Sequence, residues 1–472
     1  MFIEVAADRH KFPMILPKKN DEMNGLIRRF DIVGYTTRLV VLAIALGGVP
    51  LAQVQAADLR EVAREALSTN PDVAEARNQW QARREEVRQA EGGFLPSVDL
   101  TAGIGYEYTN DPGTRAGNDG STDLNRTELG LTVRQMLFDG WGTRSEVDRQ
   151  RARADSAAAR LLAVGETTAM KATQAYVDLQ RFRELRGISA ESLEIHKRIQ
   201  DQIRLRSEAG VGRRADLEQI KSRVALAEVN LVSADVNLQD AHTSFQRVVG
   251  KLPSADDGTV AKAPDALPGT LQKALEIAQA NNPVLHTAAA DIEAARAQHE
   301  AAKQFDYPRF DLELGGNLND NISGTEGYAN DMAAMLRMRY NLYRGGSDAA
   351  RKRVTGYNIN EAQDVRDRSV RQLEESVRLA WAAYEATRAQ LPFLQSQVDA
   401  ARATRDAYQK QFNIGQRTLL DLLNSENEVT QARQSLVDTS ADHLLVQYRL
   451  LEAMGALIDN LGVGDALASA AE

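Results

Sequence analysis

"EAGVGRRADLEQIKSR" (208–223) and "NIGQRTLLDLLNSENE" (413–428) carry the same device. In each, a glycine is followed six positions later by Asp-Leu: Gly210 with Asp216, and Gly415 with Asp421. A short turn that returns 205 residues later in a chain of 472 marks a tandem repeat. Other landmarks recur in the same order. Asn70-Pro71 returns as Asn282-Pro283 and Pro96 as Pro308, both at an offset of 212. "QMLFDGWG" (135–142) returns as "YNLYRGGS" (340–347), and Ala175-Tyr176 as Ala380-Trp381, at an offset of 205. The first half therefore holds seven extra residues between Pro96 and Leu137. The Gly/Asn/Asp-rich stretch 109–125 is the expected loop that absorbs them.

Each half reads as helix, strand, loop, strand, long helix, turn, helix. The strands alternate. In the first, Val98, Leu100, Ala102, Ile104, Tyr106 and Tyr108 share one face, and Asp99, Thr101, Gly103, Gly105 and Glu107 the other. Leu129, Leu131 and Val133 alternate with polar residues in the second strand, and Phe310, Leu312 and Leu314 in the third. The fourth, expected over 332–342, sets Met332, Leu336 and Met338 against Arg337 and Arg339. Segments of about ten residues with one apolar and one polar face suit a transmembrane β-barrel. A soluble antiparallel sheet alternates too, but long helices offer it no compact second layer. Four strands cannot close a barrel, and lipid tolerates no unpaired sheet edge, so a barrel would be shared among several chains.

From Gly142 to about Ala209 the chain has no proline, and the matching stretch from Gly346 to about Asn413 has only Pro392. About 67 helical residues at ~1.5 Å each span roughly 100 Å. Ala172, Ala175, Tyr176 and Leu179 follow coiled-coil spacing with a narrow, Ala-rich seam. Shorter helices are expected over 59–93, 216–250, 270–304 and 421–456. Stacked end to end in pairs, they match one long helix in length.

The N-terminus carries Arg28, Arg29 and Arg38, then "LVVLAIALGGVPL" (39–51), then Val54 and Ala56 spaced as a cleavage site. This predicts a signal peptide over 1–56, with Met14 or Met23 as alternative starts. The remaining boundaries are a first repeat over 57–260, a second over 261–460 and a short tail over 461–472. The formal charge is -9 and no lysine/arginine block is present, which argues against a nucleic-acid partner. The absence of cysteine excludes disulfides, thiolate metal sites, a Cys nucleophile and a lipidated N-terminal Cys. No HExxH, P-loop or G-x-S-x-G is present, so no catalytic residue, cofactor or metal is expected.

Taken in order and twice over, these motifs resemble the TolC family of outer-membrane channels. The motifs are the Asn-Pro, the proline before each first strand, "LFDG" and "LYRGG" after each second strand, and both G-x5-D-L turns. The resemblance covers about residues 58–460. It implies a homotrimer with a twelve-stranded β-barrel in outer-membrane lipid and a helical tunnel across the periplasm of a Gram-negative cell. It also implies a periplasmic adaptor and an inner-membrane transporter as partners, and no enzymatic activity.

The resemblance further implies that the turns close the tunnel's inner tip. Carried over by position, Arg417 and Asp216 form a latch, Phe412 stands where a tyrosine is expected, Asp421 lines the constriction and Asn424 replaces a second aspartate. Gly210 and Gly415 end the long helices. Asp216 and Asp421 also have a plainer role, as first-turn carboxylates that complement the helix dipole. "LFDGWGTRSEV" (137–147) resembles the branch serving type I protein secretion, which favours an ABC transporter over an RND pump. Small-molecule efflux is the alternative cargo. A periplasmic coiled-coil adaptor or scaffold is the alternative to a channel, and it leaves the strands unexplained.

Overall fold

A computed structural model describes residues 58–468, apart from 118–119, 211, 254–260 and 265–266. The expected signal peptide lies outside these residues, as does the junction near 260. The first half runs α1 (Leu59–Thr69), α2 (Pro71–Glu91), β1 (Ser97–Thr109), α3 (Pro112–Gly117), β2 (Thr122–Phe138), α4 (Gly142–Glu208) and α5 (Arg214–Val249). The second runs α6 (Leu271–Asn281), α7 (Pro283–Ala302), β3 (Arg309–Ile322), β4 (Thr325–Arg339), α8 (Ser347–Asn413) and α9 (Leu419–Ala453). Two short helices follow, α10 (Leu457–Leu461) and α11 (Gly464–Ala468).

The strands form one antiparallel sheet in chain order, β1-β2-β3-β4. Its register carries the alternation across all four strands. Val98 pairs with Val133, Val133 with Leu314 and Leu314 with Ala334 on the apolar face. Thr101, Gly130, Asn317 and Asp331 line up on the polar face. The apolar side chains have no protein cover: Ile104 is 88% exposed and Met332 91%. The β3–β4 turn leans across β2 on the polar side, and Glu107 of β1 accepts the Gly324 N–H at 2.8 Å. Among the described residues the outer edges of β1 and β4 are unpaired. No described helix is long and apolar enough to cross a membrane.

Pro96 and Pro308 stand immediately before β1 and β3, where a missing N–H costs no ladder bond. Below the sheet, Phe138, Trp141 and Tyr307 pack edge to face, with centroids 5.0 to 6.4 Å apart. Trp141 enters α4 in the left-handed region (φ 63°), and the Asp139 carboxylate caps that helix through the Thr143 N–H at 2.8 Å. The equivalent residue in the second half is Gly346, also left-handed (φ 80°). Gly140 is left-handed as well (φ 68°), and a Cβ there would lie 2.6 Å from the Gln304 carbonyl oxygen.

α4 and α8 each run 67 residues, and α8 continues unbroken through Pro392. Near the sheet the helices lie in the order α2, α4, α7, α8; nearer the tips, α5 and α9 flank α4, and α9 also packs on α8. Thus α7 and α9 occupy successive stretches of the space between the two long helices. The main core lies where these short helices meet. It buries Tyr176 and Leu179 of α4, Leu67 of α1, Trp381 of α8, Leu450 and Met454, and Leu457 of α10.

Three expectations need correction. The helices expected over 59–93 and 270–304 are each split at Asn-Pro, because a residue before proline is driven out of the helical region. Asn70 and Asn282 sit at ψ 128° and 123°. The 109–125 loop is shorter, since α3 occupies part of it and β2 already begins at Thr122. The fourth strand spans 325–339 rather than 332–342, because the chain turns towards the left-handed Gly345 and Gly346.

The Asn-Pro motif has a role that spacing did not reveal. Asn282 Oδ1 accepts the Val284 N–H at 2.9 Å, capping α7, while Nδ2 donates to the Ala453 carbonyl at 2.9 Å. Asn70 does the same with Asp72 N–H (2.9 Å) and the Val248 carbonyl (3.2 Å). Each asparagine joins the end of one short helix to the start of the next.

Candidate functional site

The two helix tips are built differently despite their shared motif. Gly210 (φ 75°) and Gly415 (φ 77°) both leave the long helix in the left-handed region, where a side chain would be strained. In the second tip, Thr418 and Asp421 form a reciprocal capping box. The Asp421 carboxylate accepts the Thr418 hydroxyl (2.9 Å) and N–H (3.3 Å). These bonds, with Arg417 adding a smaller share, hold its pKa below the ordinary carboxylate range. Asp421 is therefore ionised at neutral pH. In the first tip, Arg213 occupies the position of Thr418 and makes no side-chain cap, so Asp216 is left as a half-buried first-turn carboxylate.

Arg417 does not reach Asp216 within the chain. Its guanidinium lies 4.3 Å from the Tyr408 ring centre, its Nε donates to Gln411 Oε1 at 2.9 Å, and Asp421 lies 3.9 Å away. The turn folds the side chain back over the last turns of α8, and the capping box holds Asp421 one helical turn away. Inside one chain Arg417 contacts its own hairpin, and the expected Arg417–Asp216 latch is not among its contacts there.

Phe412 does bridge the two halves. It is 5% exposed and packs with Leu193, Ile199 and Ile203 of α4, Ile220 of α5, and Leu419, Leu422 and Leu423 of α9. Arg206, at the end of α4, covers its ring at 4.9 Å. A buried aromatic ring under a guanidinium joins α4 to α8 at the position where the resemblance implies a tyrosine. Asn424 is exposed. Glu426 is sunk between helices and paired with Arg405 at 3.2 Å. Burial outweighs that pair and raises its pKa, and the side chain is sunk among helices rather than set on an open constriction.

Tyr408, Gln411, Arg206 and Arg405 were not singled out in the sequence. Tyr408 had one available signal, its position four residues before Phe412, which places both on one side of α8. Arg206 had none. Among the described residues no cluster of His, Asp and Glu could hold a metal ion.

The family model described as "Outer membrane efflux protein" matches residues 62–251 and 274–456, which are the two structural halves. The chain belongs to this family. Over 442 residues it is 26% identical to the outer membrane efflux protein BepC of Brucella suis biovar 1, covering 92% of this chain and 94% of BepC. It is 23% identical to the outer membrane protein TolC of Escherichia coli, covering 85% and 83%. With the proteases secretion protein PrtF of Dickeya chrysanthemi it shares 24%, covering 88% and 89%. Among solved structures, the outer-membrane channel OprN superposes with a TM-score of 0.73 at 20% identity, over 84% of this chain and 90% of that one. The protein is an outer-membrane channel. Its strands contribute to a membrane β-barrel, and its long helices to a tunnel extending into the periplasm. The family is one of transport channels rather than enzymes.

Proposed function

We propose that the protein is a homotrimeric exit duct for type I protein secretion, docked by a periplasmic adaptor onto an inner-membrane ABC transporter. The observation that carries the assembly is the open sheet. Among the described residues β1 and β4 each present an unpaired edge, while the apolar face is uncovered. In lipid those edges must pair, and pairing β4 of one copy with β1 of the next closes twelve strands from three chains. The cargo reading is supported by "LFDGWGTRSEV" (137–147) and by the likeness to a protein named for protease secretion. Small-molecule efflux is the second reading, favoured by the likeness to BepC, whose name states efflux.

The tips act as the gate. Phe412 under Arg206 holds α8 against α4, and Asp421 supplies one fixed negative charge per chain beside Arg417 and Asn424. The duct itself is passive: opening requires separation of these helices, driven by the partners. The test is complementation in a cell lacking its own channel, supplied with an ABC transporter and adaptor that secrete a protein substrate. Appearance of that substrate in the medium supports the secretion reading. Restored tolerance to dyes and antibiotics, without secretion, replaces it with efflux.

A further inference from the structure

The inner end of the barrel's polar face carries more positive charge than its own ion pairs consume. Arg309, Asp311 and Glu313 alternate along β3, Arg337 and Arg339 along β4, and Arg134 lies on β2. The register sets Arg309 opposite Arg339, Asp311 opposite Arg337, and Arg134 opposite Glu313, all on one face. Two arginines directly opposite each other repel unless an anion lies between them. Asp311 does so, accepting from Arg309 at 3.0 Å and Arg339 at 3.1 Å. Glu313 accepts from Arg337 and Arg339 at 2.8 Å and from Arg134 at 3.2 Å.

The carboxylates lie beneath the guanidiniums. The Asp311 side chain is 0% exposed and that of Glu313 14%, whereas the four arginine side chains are 43 to 52% exposed. Two carboxylates cannot neutralise four guanidiniums, each of which carries five N–H donors. If the cluster served only to fasten the sheet, two arginines would match two carboxylates. The next carboxylates on this face are Asp99, level with Gly315, and Asp331, level with Asn317. They lie one and two rows farther out, at roughly 7 Å per row. On the other side, Asp139 caps α4 and its charge also acts on Arg309, which leaves three carboxylates against four guanidiniums. The excess positive charge is therefore local to the end of the barrel nearest the helices.

We propose that this cluster is an anion site, recurring around the throat where barrel meets tunnel, that takes carboxylate or phosphate groups passing through the duct. Rings of arginine or lysine select anions in pores, and the planar guanidinium fork matches both groups. The proposal rests on the channel and trimer reading above, which turns the patch on each chain into a ring. It gives the duct two opposite charge filters in series, Asp421 at the tip and arginines at the throat.

The test is single-channel recording in planar bilayers with tripolyphosphate added on the barrel side. Wild-type pores should show reversible block that weakens as salt is raised. In Arg134→Gln/Arg337→Gln the half-blocking concentration should rise about tenfold or more, the equivalent of losing one charge-assisted contact. Glu313 keeps Arg339 in that variant, and Asp311 keeps both its partners, so the sheet retains its ladder. Heat-modifiable migration on a gel confirms the folded assembly. Arg337→Lys keeps the charge without the fork and should fall between the two. Wild-type pores indifferent to tripolyphosphate, or variant pores blocked like wild type, overturn the anion site and leave the channel standing. Failure of every preparation to form pores overturns the channel reading as well.

Discussion

Replacing Asn282 with alanine removes two bonds at one buried position. Asn282 is 7% exposed, and its side chain both caps α7 and satisfies the Ala453 carbonyl. Loss of an N-cap costs ~1 kcal/mol. Leaving a buried carbonyl without its donor costs a further ~1–3 kcal/mol. The expected destabilisation is about 2–4 kcal/mol per chain, which for a chain of this size lowers the thermal midpoint by roughly 2–5 °C. Asn70→Ala should behave alike, because Asn70 makes the same two bonds and is 8% exposed. The informative variant is Asn282→Asp. Aspartate caps a helix as well as asparagine does, yet it would set a carboxylate oxygen against the Ala453 carbonyl. Circular dichroism melts of the detergent-solubilised protein should place Asn282→Asp well below wild type, near the alanine variant. An Asp variant as stable as wild type would reduce the motif to a cap and refute the joining role.

Burial raises the carboxyl of Glu166 from an ordinary 4.5 to about 7, even though it accepts the Leu457 and Ile458 N–H groups. The folded state therefore holds a proton that the unfolded state releases above 4.5. This contribution, on the order of 3 kcal/mol, is present at acid pH and fades as pH rises towards 7. Glu452, in the same groove, is shifted upward by burial too and acts in the same direction. Unfolding midpoints between pH 5 and 8 should fall less steeply in Glu166→Gln than in wild type. Phe412→Ala empties a buried site at the tip at a cost of ~3–5 kcal/mol, and should raise the frequency of large-conductance openings in bilayers. Gly140→Ala combines a left-handed backbone with a Cβ 2.6 Å from the Gln304 carbonyl. It should lower the yield of assembled protein while leaving helical content nearly unchanged.

Periodicity and punctuation were the legible part of the sequence. Each strand's apolar side chains repeat every second residue against lipid, with no competing tertiary contact, so the faces of β1 to β4 could be read directly. The absence of proline from 142–209 and the glycines at 210 and 415 bounded the long helices to within a residue or two. The tip chemistry was less legible because it depends on contacts between elements. The ring of Phe412 meets Arg206 only through the packing of α8 beside α4. Arg417 turns back to Tyr408 because of the turn's backbone, which carries no residue signature beyond its glycine. Nothing in the sequence sets Glu166 and Glu426 apart from the many other carboxylates on the helices. Only packing shows that α10 covers the first, and that Arg405 accompanies the second into the interior.

The proposed role of the repeated turn is that of the gated constriction of an outer-membrane duct. Single-channel conductance of wild type, Asp421→Asn and Arg417→Glu in planar bilayers tests it most directly. Wild type should form small cation-selective pores, Asp421→Asn should show weaker cation selectivity, and Arg417→Glu, which loses the Tyr408 and Asp421 contacts, should show higher conductance. Variants indistinguishable from wild type would make the motif a helix cap and nothing more, and a protein that never inserts would contradict the duct itself.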